Sequence, residues 1–141
     1  MNGQSILRCW KWLPLILWMI AVFLVSNQPK AAIPRVPESV QERVREGLVW
    51  PTIDLDVLVK KGGHVVAFGL MALFGWYATG SLWWAFTIAA AYAVTDEIHQ
   101  IFILERTARF SDVLLDCLGA GLTVIGLHYR ARWLGWLGAK G

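Results

Sequence analysis

Four long apolar runs constrain the fold of this chain more than any other feature. A helix that crosses the hydrocarbon core of a bilayer needs about 20 mostly apolar residues. The four runs cover residues 10–26, 57–79, 82–103 and 112–129. The composition agrees, since 57% of the 141 residues are hydrophobic, nine are tryptophan and the mean hydropathy is +0.51. The pattern predicts an all-α membrane protein with four transmembrane helices in an antiparallel bundle, residues 1–141 forming a single domain.

A polar segment, residues 27–56, separates the first two runs. After Pro37, which suits the first turn of a helix, Val40, Val44 and Leu48 recur at every fourth position. We therefore expect a short amphipathic helix that lies on the bilayer surface. A solvated helix that only links the two runs is the alternative.

Charged residues beside the runs predict the orientation in the membrane. Arg8 and Lys11 precede the first run, and Arg130, Arg132 and Lys140 follow the last one. Positive charges favour the cytoplasmic side, so both termini are expected there. A basic start also occurs in signal peptides, but the three later runs favour a first helix that is retained.

The net charge and the cysteine spacing argue against a nucleic-acid-binding protein and against a disulfide or metal framework. The net charge of +3 is small, and no basic stripe with interleaved aromatic residues indicates a nucleic-acid partner. Cys9 and Cys117 lie far apart in the sequence and outside any metal-ligand spacing, so we expect no disulfide, metal or cofactor.

Ionisable residues close the third apolar run, in the stretch Asp96-Glu97-Ile98-His99-Gln100. The second and third runs are joined by Thr79-Gly80-Ser81, which predicts a tight turn between two antiparallel helices. At 1.5 Å per residue, His64 and Glu97 each lie about 23 Å from this turn. We therefore expect these two side chains at the same depth in the bundle.

An even number of spans brings further polar residues to this same end of the bundle, which the predicted orientation places outside the cell. Ionisable groups are costly in lipid, and by default they mark a functional site. The predicted ligand-binding set consists of polar residues at the ends of the runs and in the loop before the last run. Its members are Ser26, Gln28, Lys61, His64, Asp96, Glu97, Gln100, Arg106, Arg109, Asp112 and Asp116.

Several of these residues form motifs that resemble the signature of the VanZ-like family of small bacterial membrane proteins. Lys61-Gly-Gly-His64-Val-Val-Ala-Phe68 is similar to the family's Lys-x-x-His-x-x-x-Phe element. Asp96-Glu97-Ile-His-Gln100 is similar to its Asp-Glu-x-x-Gln element, and Ser26-Asn27-Gln28 to the polar end of its first span.

Two further matches follow in the last loop and the last run. Arg106 corresponds to a loop arginine, and Asp112, Asp116 and Gly119 to an Asp-x-x-x-(Asn or Asp)-x-x-Gly element, so the resemblance covers residues 10–129. The chain departs from the family at Lys60, where an acidic residue is common, and at Leu104-Glu105, where Pro-Gly commonly precedes the arginine.

The resemblance implies a multi-pass protein of the bacterial cytoplasmic membrane and the cell envelope. The family is named for low-level resistance to the glycopeptide teicoplanin, which gives a context for function but no mechanism. The oligomeric state stays open, with a homo-oligomer among the alternatives.

Three interpretations of the polar set are open. In the first, Lys61, Arg106 and Arg109 bind the phosphate of a membrane lipid or lipid-linked cell-wall precursor. Acidic residues then orient these cations and bind hydroxyl groups of the ligand. This interpretation is favoured, and it makes the protein a binding protein rather than an enzyme.

The second interpretation is an intramembrane enzyme that acts on a lipid-linked substrate. His64, Glu97 and Asp112 are the catalytic candidates, either as ligands of a divalent metal or as an acid–base pair formed by Glu97 and His64. In the third interpretation the charges are purely structural, and they pair as Lys61 with Glu97 and Arg106 with Asp112. His99 is expected to turn away from the set towards an interface or another helix.

Overall fold

A computed structural model of the chain describes residues 9–29, 35–47, 54–103, 106 and 108–138. These residues form five α-helices and no strand, which confirms the prediction of an all-α protein. The helices are α1 (Leu13–Ser26), α2 (Glu38–Gly47), α3 (Leu55–Thr79), α4 (Leu82–Gln100) and α5 (Phe110–Gly138).

Two helices are long and apolar enough to cross a membrane by length and composition, over Leu55–Thr79 and Phe110–Arg132. Most residues in the apolar part of each are not buried within the protein, so apolar surface faces outwards. Helix α1 is apolar but shorter; its 14 residues span about 21 Å at 1.5 Å per residue.

The observed helices differ from the predicted runs at several ends. The first run was expected from residue 10, but residues 11–12 form a turn and α1 starts at Leu13, with Pro14 in its first turn. Proline is tolerated there because the first amides of a helix have no carbonyl partner within it. Helix α4 ends at Gln100 rather than at residue 103, and α5 extends well beyond residue 129.

The predicted tight turn joins α3 to α4. Gly80 has φ 70°, a left-handed conformation that glycine adopts without a steric penalty. Ser81 then caps α4, its side chain accepting a hydrogen bond from the amide of Trp84 at 3.4 Å. Residues on the two helices meet in reverse order, Gly75 against Ala85 and Phe68 against Tyr92, as in a helical hairpin.

Small residues bring α3 and α5 into close contact. A Cβ atom at Gly119 would overlap the carbonyl of Val65, and one at Gly69 would lie 2.9 Å from the Thr123 hydroxyl oxygen. The core between the helices holds Phe68, Met71, Ala72, Ala89, Ala93, Ala120 and, from α1, Leu15. Alanines at four of these seven positions allow the backbones to approach closely.

Helix α1 is joined to this core by apolar packing, with Leu15 buried in it, and by two hydrogen bonds. The indole N–H of Trp18 donates to the carbonyl of Ala67 at 2.8 Å. The Tyr92 hydroxyl donates to the carbonyl of Met19 at 2.7 Å. These bonds fix α1 against both α3 and α4.

The short helix predicted in the polar segment is confirmed as α2. The segment before α2 is tied to α3, because the amide of Val36 donates to a carboxylate oxygen of Asp56 at 2.6 Å. Leu48, the last residue of the apolar stripe that we expected, lies outside the described residues. A position on the bilayer surface stays a prediction.

Replacement of Gly119 tests the close packing of α3 and α5. We expect Gly119→Ala to destabilise the fold by about 1–3 kcal/mol, because the added methyl group overlaps the Val65 carbonyl. The loss is measured as a lower thermal unfolding midpoint of the detergent-solubilised protein. The matched control is Gly126→Ala, since a Cβ there meets nothing within 4 Å; equal midpoints for both variants would contradict the packing argument.

Candidate functional site

Polar side chains from α1, α3, α4 and α5 meet where α1 and α4 end. Two hydrogen bonds link three of these side chains, those of Ser26, Asp96 and Gln100. The Gln100 side-chain amide donates to the Ser26 hydroxyl at 3.1 Å and to Oδ2 of Asp96 at 2.9 Å. All three residues are buried, at 5% exposure or less. Gln100 therefore joins α1 to α4 and supplies one donor to a buried carboxylate.

A second contact joins α3 to α5. Nδ1 of His64 lies 3.0 Å from Oδ1 of Asp116, whose side chain is fully buried, while the histidine side chain is 30% exposed. Asp116 thus holds the imidazole by one nitrogen. Nε2 of His64 makes no hydrogen bond with any residue that the structure describes.

Glu97 connects α4 to the start of α5. Its Oε2 accepts a hydrogen bond from the backbone amide of Arg109 at 2.8 Å. The side chain of Arg109 is exposed and makes no hydrogen bond with a described residue. This arginine therefore contributes its backbone, and not its charge, to the carboxylate.

Three buried carboxylate oxygens have no hydrogen-bond partner among the described residues: Oδ1 of Asp96, Oε1 of Glu97 and Oδ2 of Asp116. The three side chains lie within electrostatic range of one another, and Asp96 and Asp116 within that of His64. A common depth of His64 and Glu97 stays a prediction. A buried polar atom without a partner costs about 1–3 kcal/mol, and more when it is charged. The cluster therefore has unused capacity to accept hydrogen bonds.

The predicted cations lie outside this cluster. Lys61 is exposed, as is Arg109. Arg106 is half-buried and donates to two carbonyls at the end of α1, from Nε to Gln28 at 3.3 Å and from Nη2 to Val25 at 3.4 Å. A basic side chain in this position stabilises the end of a helix.

The ion pairs of the purely structural interpretation are not formed. Within the described ranges, the ion pair is His64 with Asp116, rather than Lys61 with Glu97 or Arg106 with Asp112. Asp112 instead accepts from the hydroxyl of Ser111 at 3.2 Å. The predicted pairs fail because Lys61 points outwards and Arg106 is engaged with α1.

The backbone carbonyl of Gln28 accepts a hydrogen bond from Arg106, and a role of Gln28 in ligand binding stays a prediction. The metal set His64, Glu97 and Asp112 is not assembled. In the part of the chain that is described, no group of three or more histidine, cysteine, aspartate or glutamate side chains is arranged to hold a metal ion.

His99 faces away from the cluster, as its position on α4 predicts. Its Nε2 lies 3.2 Å from the side-chain oxygen of Asn27, and its ring packs against Phe23 at 4.9 Å between centroids. The sequence reasoning missed Asn27 as the partner, although it stands directly after Ser26, which is in the cluster.

An apolar groove of about 340 Å³ lies on the surface of α1, lined by Ile16, Met19, Ile20, Phe23 and Tyr92. It contains none of the residues of the polar cluster. The buried carboxylates and this groove are therefore separate features.

The sequence profile of the VanZ/LLP1 family matches residues 11–131. The chain belongs to this family. Neither the curated proteins nor the solved structures contain a significant match to it. The match includes every residue of the polar cluster, and together with the apolar helices it identifies a VanZ-like membrane protein.

In this VanZ-like protein the loop arginine holds the end of α1, which can be tested directly. We expect Arg106→Ala to speed amide hydrogen exchange of residues 24–28 by several-fold, since each lost hydrogen bond is worth about 1 kcal/mol. Arg132→Ala, at an exposed position on α5, is the control. Unchanged exchange at the end of α1 in the Arg106 variant would show that the guanidinium does not anchor it.

Proposed function

We propose that this VanZ-like protein binds the phosphate-bearing headgroup of a membrane lipid or lipid-linked cell-wall precursor at the polar end of its helices. In this proposal α1, α3, α4 and α5 form an antiparallel four-helix bundle in the bacterial cytoplasmic membrane. The family's link to teicoplanin resistance makes a cell-wall precursor a natural candidate for the ligand.

The buried carboxylate oxygens without a partner are the observation that carries the proposal. Helix ends that only pack together can satisfy their polar groups with one another, as Gln100 does with Ser26. Asp96, Glu97 and Asp116 each keep one oxygen unused in a buried position. Such oxygens suit a ligand that brings hydrogen-bond donors, as the hydroxyl or amino groups of a headgroup do.

Exposed cations beside the cluster supply a second kind of contact. Lys61 precedes His64 by less than one turn of α3, and Arg109 provides the amide that Glu97 binds. Both side chains are exposed and free to approach a phosphate, for which an arginine offers two parallel donors. Arg106 has a smaller part in this contact than the sequence implied, because it serves the end of α1.

The direction of the helices supports a site that faces out of the cell. His64 meets Asp116 and Gly69 meets Thr123, so α3 and α5 run the same way and Arg130 lies towards the Gly80 end. Arg130, Arg132 and Lys11 then favour a cytoplasmic position for the end opposite the cluster.

Native mass spectrometry of the purified protein tests the binding of phosphate. We expect phospholipid to remain bound to the wild-type protein, and its occupancy to fall by about tenfold in the double variant Lys61→Ala with Arg109→Ala, given about 1–2 kcal/mol lost at two charged contacts. Arg130→Ala with Arg132→Ala removes the same charge at the other end and is expected to retain the lipid. Equal occupancy in both double variants would contradict the proposed site.

One observation favours acid–base chemistry as a second candidate function. The buried carboxylate of Asp116 holds Nδ1 of His64, an arrangement that orients an imidazole and leaves Nε2 to exchange a proton with a ligand. Glu97, another of the catalytic candidates from the sequence, keeps one buried oxygen without a partner among the described residues.

This second candidate predicts turnover of a bound lipid. After incubation, the wild-type protein would release a product of altered headgroup mass, and His64→Gln would lower its rate by about 100-fold or more, as expected for the loss of a general acid or base. An unchanged lipid mass with wild-type protein over several hours would leave binding without catalysis.

A further inference from the structure

We infer that the headgroup carries a primary ammonium group, which donates to the buried carboxylates of Asp96, Glu97 and Asp116 while its phosphate contacts the exposed cations. This inference rests on the proposed function and specifies the class of ligand. It assigns the buried carboxylates to a positively charged group of the ligand, whereas the interpretation from the sequence gave acidic residues the role of orienting the cations and binding hydroxyl groups.

The buried carboxylates receive fewer hydrogen bonds than they can accept. Asp96 receives the Gln100 amide, Glu97 the Arg109 backbone amide, and Asp116 the His64 ring. Each carboxylate thus has one donor among the described residues, although its two oxygens can accept about four hydrogen bonds. Three oxygens are left over, all of them inaccessible to solvent.

The cluster also holds more negative than positive charge. It contains three buried carboxylates and one imidazole, which pairs with Asp116, so with all four groups ionised two negative charges stay without a counter-charge among these residues. Buried charges without a counter-charge are strongly unfavourable. A ligand that fits the cluster therefore brings positive charge as well as donors, and a phosphate is repelled from it.

The groups that a ligand could offer differ in positive charge and in hydrogen-bond donors. A hydroxyl brings a donor but no charge, and a quaternary ammonium brings charge but no donor. A metal ion needs a set of ligands that the described residues do not assemble. A primary ammonium brings one positive charge and three N–H donors, so it supplies both the charge and the hydrogen bonds that the buried carboxylate oxygens lack.

The phosphate would lie outside the buried cluster, next to Lys61. Lys61 precedes His64 by less than one turn of α3, and His64 is the partly exposed member of its pair with Asp116. The ammonium would then lie among the buried carboxylates and the phosphate beside Lys61, close enough for both to belong to one small headgroup. A phosphate ester of a short amino alcohol or an amino sugar has this chemistry, either as a lipid headgroup or as a free molecule.

The test compares three lipids on the same wild-type protein in nanodiscs. Phosphatidylethanolamine has a primary ammonium, phosphatidylcholine a quaternary one, and phosphatidylglycerol hydroxyls without positive charge. We expect phosphatidylethanolamine to bind at least about tenfold more tightly than the other two, because charge-assisted hydrogen bonds form only with its N–H groups. This comparison needs no variant, so it does not depend on whether a mutated cluster folds.

A variant of Glu97 tests whether the preference for phosphatidylethanolamine depends on the buried carboxylates. Glu97→Gln keeps the shape of the side chain but removes its charge, and we expect it to reduce the preference for phosphatidylethanolamine to about threefold or less. Glu42→Gln, on the exposed surface of α2, is the control and should keep it. A preference that persists in the Glu97 variant would overturn the assignment to these carboxylates.

The outcomes separate this inference from the function on which it rests. Equal binding of the three lipids, lost in the Lys61 and Arg109 double variant, would overturn the ammonium and leave the phosphate site intact. No binding of any of them would overturn both. Competition by free phosphoethanolamine would support recognition of the headgroup alone, whereas preference for the lipid without such competition would support a membrane lipid that carries the ammonium.

Discussion

The burial of three carboxylates between apolar helices is the constraint on which the rest of this structure depends. Asp96, Glu97 and Asp116 are 5% exposed or less, in a setting where a carboxylate needs hydrogen bonds and counter-charge to remain. Each obtains one donor from a different source: a side chain on its own helix, a backbone amide of the next segment, or a histidine on a facing helix. The bonds of Glu97 and Asp116 link α4 to the segment before α5, and α3 to α5.

Close packing and the polar cluster depend on each other. Gly119 lies one turn after Asp116, and Val65 directly follows His64, so the contact between the Gly119 and Val65 backbones brings the imidazole within reach of the carboxylate. A larger residue at 119 would move α5 away from α3 and lengthen the bond between His64 and Asp116. The glycine that the family motif includes is therefore part of the site through its size.

Sequence alone predicted the helices and the end at which polar residues gather, because apolar length and a Gly-containing turn are local signals. It did not predict the partners. His64 was paired with Glu97 in the acid–base interpretation, yet its ring contacts Asp116, since the rotation of α5 against α3 depends on packing at Gly119. Arg106 was assigned to phosphate, but its guanidinium donates to carbonyls at the end of α1. A positive charge in a loop does not reveal whether its first partner is a ligand or a helix end.

The acidic and basic groups of the candidate site are separated, with the acidic groups buried and the basic groups exposed. Carboxylates are enclosed by α1, α3, α4 and α5, whereas Lys61 and the Arg109 side chain stay exposed. If the two signs had met in the interior, they would have neutralised each other and left little for a ligand to bind. Because Gln100 donates to both Asp96 and Ser26, the acidic interior is also tied to the end of α1. The polar cluster and the position of α1 therefore depend on one shared side chain, Gln100.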